Sequence, residues 1–434
     1  MHSQILIVGG GAGGLELACK LGRKLGPQAV TLVDSRLFHI WKPSLHEVAA
    51  GTLDVHQEGL SYQMLAHDNG FTFVYGPMQA LDAAQWQLTV GAIYSGDDGQ
   101  HEEVLPQRRI GYDSLVLAIG STSNYFGVPG AAEHTISLNA TEDAERFRLT
   151  LLKLLTRAEL QKSTRPEAGV DIVIIGGGAT GVELAAELRE ASGVYAVYGF
   201  RQLLAERDVR ITLLEGAPRI LEPLPEKVSA AALALLQQRA IQVVTDTRVT
   251  AIAADAVTAG DVVYPAQLVV WAAGIKAPDI LSQLGLPTTK SGQIEVDAHL
   301  AVQGHAGIYA LGDCAACAGP DGKLVPPRAQ AAHQQADYLV ETFMRRQRGK
   351  PPQLQPYVYR DYGSLVSVGQ STSVGSLMGS LKGLSWFVDG LVARLMYVSL
   401  HLMHHRAVLG TLRTAVLALA RFLIKRSTPL VKLH

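Results

Sequence analysis

The stretch Gln4-Ile5-Leu6-Ile7-Val8-Gly9-Gly10-Gly11-Ala12-Gly13-Gly14 stands near the start of the chain and decides how its first unit is read. Four apolar residues running into a glycine cluster predict a buried strand and a tight turn. The Ala/Leu-rich run from Gly14 to about Leu25 predicts a helix, and Val30 to Val33 a second strand that ends in Asp34. This is a βαβ opening. Gly9, Gly11 and Gly14 follow G-x-G-x-x-G, with Gly13 beside them, and Asp34 comes twenty residues after Gly14. The first glycine makes the turn, the second lets backbone approach a pyrophosphate, and the third allows close packing of helix on strand. The helix N-terminus adds partial positive charge, and Asp34 would accept hydrogen bonds from a ribose.

The design returns. Asp171 to Ile175 reads as a strand, Gly176, Gly178 and Gly181 repeat the glycine pattern around Thr180, Val182 to Ser192 is helical, and Arg210 to Leu214 runs into Glu215. Glu215 lies 34 residues past Gly181, against the usual ~20. An extended helix or insertion through Ser192 to Asp208 accounts for the excess. A carboxylate at that strand end suits the 2′-hydroxyl of NAD and repels the 2′-phosphate of NADP, although Arg219 could admit a phosphate. Two later segments echo each other, Tyr112 to Gly120 and Gln267 to Gly274. They set Gly120 in one unit against Ala273 and Gly274 in the other.

Two such loops need two dinucleotides. The simplest pair is a resident FAD and a visiting NADH, stacked so that nicotinamide C4 faces flavin N5.

The chain of 434 residues is long enough for two or three domains. Its 38 basic and 39 acidic residues give no reason to expect nucleic acid. The total hides an asymmetry: Lys382 to His434 holds eight Lys or Arg and only Asp389, about +7, which leaves about −8 on residues 1 to 381. Three cysteines are too few for a secreted disulfide scaffold. No run of about 18 uninterrupted apolar residues is present, and no signal peptide is read at the N-terminus.

In these features the sequence resembles the two-dinucleotide-binding-domain flavoproteins of glutathione-reductase type. The segment Tyr309-Ala310-Leu311-Gly312-Asp313 is similar to their later signature, which implies that Asp313 holds the ribityl chain of FAD. Within that group the chain resembles the bacterial branch of the type II NADH dehydrogenases, single-subunit, non-pumping NADH:quinone oxidoreductases. Pro327-Arg328-Ala329-Gln330-Ala331-Ala332-His333-Gln334 looks like their A-Q-x-x-x-Q element, and Trp41-Lys42-Pro43-Ser44-Leu45-His46-Glu47-Val48-Ala49-Ala50-Gly51 like their K-P-x-x-x-E-V-A-x-G segment. Gly375 to Gly379 and Pro429, Leu430 and Lys432 are similar to the family's C-terminus.

The resemblance implies that Lys42 and Ala329 lie near FAD and that Glu183 stands where flavin and nicotinamide meet. Gln330 and Gln334, four apart on one helix face, would offer donors and acceptors to quinone carbonyls.

Cys314 and Cys317 form a C-x-x-C, read here as structural or occasionally metal-binding rather than as a redox disulfide, because they follow Gly312-Asp313. No metal site is expected. His401, His404 and His405 are read as the polar stripe of an amphipathic helix whose apolar face includes Leu384, Phe387, Val388, Leu391, Leu395, Val398 and Leu402. Leu412, Val416, Leu419 and Leu423 repeat the pattern beside Arg413, Lys425 and Arg426. Such basic amphipathic helices lie in an anionic lipid interface, with a dimer seam or an ordinary core helix as the alternatives.

The expected architecture is α/β: a FAD-binding domain from 1–125 and 290–345, an NADH-binding domain at 126–289, and a membrane-docking region at 346–434. The expected activity is NADH:quinone oxidoreduction without proton pumping, on the cytoplasmic face of the bacterial inner membrane, with a homodimer possible. The rivals are a sulfide:quinone oxidoreductase and a non-enzymatic NADH sensor.

Overall fold

The computed structural model describes residues 1–96, 102–351, 353, 355–368, 373–378, 385–427 and 431, with the backbone alone at 373–378, 385–398, 400, 422 and 424–427. Gly379, Pro429, Leu430, Lys432 and Leu384, named above, lie outside the described residues. In chain order the elements that build the site begin with β1 (His2–Val8), α1 (Ala12–Leu25), β2 (Val30–Asp34), α2 (Leu45–Ala50) and β3 (Arg108–Leu117). Next come α3 (Thr141–Gln161), β4 (Val170–Ile175), α4 (Ala179–Tyr198), β5 (Val209–Leu214) and β6 (Leu268–Trp271). The rest are β7 (Ile308–Ala310), α5 (Ala329–Gln347), β8 (Gly363–Ser367), β9 (Ser373–Met378), β10 (Ser385–Asp389), α6 (Gly390–Leu409) and α7 (Thr411–Ser427).

Two sheets organise these elements. The first orders Thr72–Tyr75, β2, β1, β3, Gln87–Val90 and Met78–Asp82, with β7 pairing in parallel against β3. The second orders Ile136–Ser137, β6, β4, β5 and Ile241–Val244, all parallel. Parallel strands at a sheet centre are covered on both faces, which is why they read as unbroken apolar runs. Leu6, Ile7, Leu32 and Val33 are fully buried, as are Ile174 and Leu213. Each such side chain contributes roughly 1.5–3 kcal/mol through removal from water.

Strand β1 lies between β2 and β3 with Ile5 opposite both Val30 and Ser114. Strand β4 holds the same place between β5 and β6, with Ile172 opposite Ile211 and Leu268. Both glycine loops therefore leave the C-terminal end of a central strand, where open parallel sheets bind ligands. The long interval before Glu215 comes from α4 continuing to Tyr198 and from the short helix Ala205–Asp208.

The C-terminal region departs from expectation. The helix expected from Leu384 begins at Gly390, because Ser385–Asp389 pairs antiparallel with β9 as a strand. Trp386, Phe387 and Val388 are residue types that favour the pleated backbone, so Phe387 and Val388 belong to a sheet and not to a helical face. No helix among the described residues is long and apolar enough to cross a membrane.

Candidate dinucleotide and electron-transfer site

The two glycine loops are built alike. Gly9 and Gly176 have φ of +103° and +111°, a region closed to side chains at low cost. A Cβ on Gly9 would run into the Ala118 carbonyl, and one on Gly176 would meet the Ala272 carbonyl carbon at 2.6 Å. Gly14 and Gly181 pack against the carbonyl oxygens of Gly9 and Gly176 too closely for any side chain. Gly11 and Gly178 differ: a Cβ on either meets nothing within 4 Å, so their open side faces a space rather than the core. They cap α1 and α4 with no side-chain bond to the first-turn N–H groups, and Gly13 and Thr180 lie in those turns. Bare helix N-termini beside an open glycine surface fit a pyrophosphate.

The strand-end acids complete each loop. Asp34 Oδ2 accepts from Gly10 N–H at 2.6 Å and Oδ1 from Arg36 N–H at 2.8 Å. Glu215 Oε2 accepts from Gly177 N–H at 2.5 Å and Oε1 from Ala217 N–H at 2.7 Å. The middle glycine of each turn is thus tied to the carboxylate at the end of the strand that follows. Arg219 does not turn toward a phosphate position, since its Nη1 donates to the Leu224 carbonyl at 2.9 Å within its own loop.

Around the end of β3 the chain gathers a second group. Gly120 takes φ +72°, and Ser121 Oγ donates to Asp313 Oδ2 at 2.7 Å. Lys42 Nζ donates to the Ser121 carbonyl at 3.0 Å, and Gln293 Nε2 to the Asp313 carbonyl at 3.0 Å. Ser121, Gln293 and Asp313 line one cleft together with Lys276 and Pro327. Gly274, with φ +156°, sits against the Phe126 ring next to Ala273. These residues fit the ribityl and ring end of a flavin nucleotide: a carboxylate held by a hydroxyl, an ammonium, and backbone with no side chain in the way.

Gln330 and Gln334 do share a face of α5, yet their amides are already engaged. Gln330 Nε2 donates to the Gly363 carbonyl at 3.1 Å and to Asp361 Oδ1 at 3.3 Å. Gln334 Nε2 donates to the Arg360 carbonyl at 2.8 Å, and its Oε1 accepts from Arg360 N–H at 3.0 Å. Both side chains clamp the segment 360–363 onto α5. Their neighbour Gln335, unremarked in the sequence, is fully buried and accepts from Gly312 N–H at 2.7 Å, which fixes the turn before Asp313.

Glu183 is buried in α4, where Oε1 accepts from Ser367 N–H at 3.1 Å and Oε2 lies 3.6 Å from His46 Nδ1. Burial pushes its carboxyl up to about 7, against the opposing pull of His46 and the Ser367 amide.

The histidines also correct the reading. His404 and His405 are buried, not a solvent stripe. His404 Nδ1 meets Glu16 Oε1 at 2.8 Å and its Nε2 meets His39 Nε2 at 2.9 Å; His39 Nδ1 in turn reaches the Gly10 carbonyl at 3.0 Å. Glu58, His401 and His405 bring ligand atoms within 4.8 Å of one another, but the Arg421 guanidinium pairs with Glu58 and lies 3.5 Å from His405 Nε2. A protein cation therefore already fills that corner. Glu16, within a buried helix face between Leu15 and Leu17, carried the only sequence signal for this cluster.

Cys314 and Cys317 are free thiols, both buried, and burial pushes each up to about 11. Neither is a nucleophile at neutral pH.

Residues 3–336 match the family model described as pyridine nucleotide-disulphide oxidoreductase. The chain is 38% identical to a type II NADH:quinone oxidoreductase of Haemophilus influenzae, covering 99% of each. It is 30% identical to a demethylphylloquinone reductase of Synechocystis, over 87% of each chain. Its structure superposes on that of NDH2 from Plasmodium falciparum in complex with NADH with a TM-score of 0.81 at 18% identity, covering 99% of this chain and 100% of that one. The fold of a sulfide:quinone oxidoreductase from Aquifex aeolicus is similar as well, with a TM-score of 0.72 at 18% identity, covering 94% of this chain and 92% of that one.

The fold and the duplicated loops define a pyridine nucleotide-disulphide oxidoreductase. Within that class the chain belongs to the type II NADH:quinone oxidoreductase family.

Proposed function

We propose that the protein oxidises NADH and reduces a membrane quinone, NADH + H⁺ + quinone giving NAD⁺ + quinol. The observation that carries this reading is the duplicated loop, in which each middle glycine is tied to its own strand-end carboxylate, on a chain alike over its full length to a type II enzyme. Gly9, Gly11, Gly13, Gly14 and Asp34 hold the pyrophosphate and ribose of FAD, with Lys42, Gly120, Asp313 and Ala329 at its other end. Gly176, Gly178, Thr180, Gly181 and Glu215 receive NADH, with Ala273 and Gly274 beside the nicotinamide. FAD, when bound, supplies the two-electron carrier between the two substrates.

The protein itself positions and excludes water. Gln330 and Gln334 act by holding segment 360–363 against α5, and Glu183 holds a proton in a site closed to solvent. With Arg219 turned inward, NADH is preferred to NADPH. In domain terms, 1–125 with 290–345 serves FAD, 126–289 serves NADH, and 346–434 serves docking.

The docking surface is an anionic lipid layer on the cytoplasmic face of the bacterial inner membrane. In support, α7 leaves Leu412 79% exposed, with Val416, Leu419 and Leu423 exposed on the same helical stripe and Arg413 exposed beside them. A quinone soluble only in lipid gives that surface its purpose.

The test is direct. Purified protein should be yellow, bleach on NADH, and consume NADH continuously only when a short-chain quinone is added, with sulfide unable to replace NADH. A colourless preparation that cannot be reconstituted with FAD overturns the reading.

A further inference from the structure

Helix α6 places His401 and His405 four residues apart, so both rings leave the same face one turn from each other. They stack with centroids 4.3 Å apart and planes inclined by 27°. Glu58, at the end of the short helix Val55–Glu58, closes the third side, and one ligand atom from each of the three lies within 4.8 Å of the others. His405 is 4% exposed and the Glu58 side chain 14%. His404 turns instead to Glu16 and takes no part in this corner.

The corner is built for a cation. His405 Nδ1 faces the His401 carbonyl at 3.0 Å, while its Nε2 faces the Arg421 guanidinium at 3.5 Å. A carbonyl only accepts and a guanidinium only donates, so Nδ1 carries the hydrogen and Nε2 turns its lone pair inward. A metal-bound imidazole is oriented in this way, its far nitrogen donating to a backbone carbonyl. Burial lowers the affinity of His405 for a proton, which keeps that lone pair available. The present occupant is an incomplete match. Arg421 pairs with Glu58; burial penalises its charge, and Glu47 of α2 opposes that penalty. One positive charge thus stands against two carboxylates.

We propose that Glu58, His401 and His405 bind a divalent transition-metal ion of zinc type, which takes the place of the Arg421 guanidinium. Two imidazole nitrogens and one carboxylate oxygen are donors that zinc accepts, whereas magnesium and calcium take oxygen ligands. Ligand atoms of a tetrahedral zinc site stand about 3.3 Å apart, so the three side chains close in once the guanidinium leaves. Water fills the fourth position. The dication answers both carboxylates, and Arg421 is released. Helix α7 then keeps its tie through Arg413 to Asp68 and loses the one through Arg421 to Glu58. Metal binding thereby loosens the far end of α7 from the body of the protein.

The experiment titrates untagged holoenzyme, with FAD in place, with Zn²⁺ against a chromophoric chelator. Beside it stand His405→Gln, Glu58→Gln, Arg421→Gln and the double variant of Glu58 and Arg421. The native protein should bind a single ion that Mg²⁺ does not displace. His405→Gln and Glu58→Gln should each weaken binding about tenfold or more. Arg421→Gln should tighten it about tenfold, since the competitor is gone, and Glu58→Gln should cancel that gain in the double variant. Tighter binding at native flavin content and unchanged stoichiometry does not come from a damaged fold. Zinc X-ray absorption of the loaded Arg421→Gln protein should show two imidazole rings at about 2.0 Å. Trypsin should cut the native protein after Arg421 faster with Zn²⁺ than without it. Failure of both the native protein and Arg421→Gln to bind zinc, equal affinity across the variants, or an absorption spectrum without imidazole overturns the proposal.

Discussion

His404 Nδ1 lies 2.8 Å from Glu16 Oε1, and both side chains are buried. This contact joins α6 to α1, the helix that carries the first glycine loop. His333 of α5 reaches the other oxygen of Glu16, and Lys20 Nζ meets it at 3.0 Å, so one carboxylate holds three helices together. His39 Nδ1 faces the Gly10 carbonyl and its Nε2 meets His404 Nε2, which ties the Glu16 cluster to the first glycine loop. Removing Glu16 leaves the buried His404 Nδ1 without its partner and breaks the link between the helices.

Glu16→Ala should therefore cost about 3–5 kcal/mol, read as a lower urea midpoint at neutral pH. Burial pushes the Glu16 carboxyl up, but bonds from His333 and His404 outweigh it and hold the group well below the usual carboxylate range. A depressed carboxyl contributes stability that is complete above its unfolded value, about 4, and is lost as pH falls toward the folded one. Acid unfolding curves of Glu16→Gln should accordingly be flatter below about pH 4 than those of the native protein.

Alanine at the two turn glycines should separate the two nucleotide sites. Gly9→Ala meets the Ala118 carbonyl at positive φ, and Gly176→Ala meets Ala272 in the same way. Strain of about 1–3 kcal/mol falls on the loop concerned. The first variant should purify with little flavin. The second should stay yellow and show a KM for NADH raised roughly tenfold or more.

Gln330→Ala and Gln334→Ala remove the clamp on segment 360–363. Each hydrogen bond contributes about 0.5–1.5 kcal/mol, so the double variant should raise the quinone KM about tenfold and speed tryptic cleavage after Arg360. Bleaching by NADH should not change. Loss of that half-reaction would mean that the glutamines touch the flavin end.

The thiols should be silent. With Cys314 and Cys317 buried and held at about 11, maleimide should label neither in the native protein at pH 8, roughly three pH units below. Cys317→Ala should keep full NADH:quinone activity. Loss of turnover with intact flavin would restore the disulfide reading.

Replacing Leu412 and Leu419 by Glu puts two charges into the exposed stripe of α7. Co-sedimentation with anionic vesicles should fall by about tenfold or more, with turnover on a water-soluble quinone kept. Vesicle binding equal to that of the native protein would refute the lipid surface.

The two dinucleotide units are legible in the amino-acid order because their signals are local. An apolar run, a glycine that must take positive φ, and an acid one strand later are set by neighbours in the chain, and Gly9 with Asp34 and Gly176 with Glu215 stand in matching places in the fold. Even Asp313, far along the chain, announces itself by the Gly-Asp at a strand end, where Ser121 holds it.

What tertiary structure alone decided are the partners of polar side chains. Helical spacing put Gln330 and Gln334 on one face but could not say that backbone from 360–363 would lie across them. Periodicity gave His404 a polar face; Glu16, almost four hundred positions earlier, buried it. His46 and Glu183 meet only because α2 and α4 pack together. Turn and strand propensities act over a few residues and can be read in order, whereas a buried hydrogen bond depends on which distant surfaces burial has brought face to face.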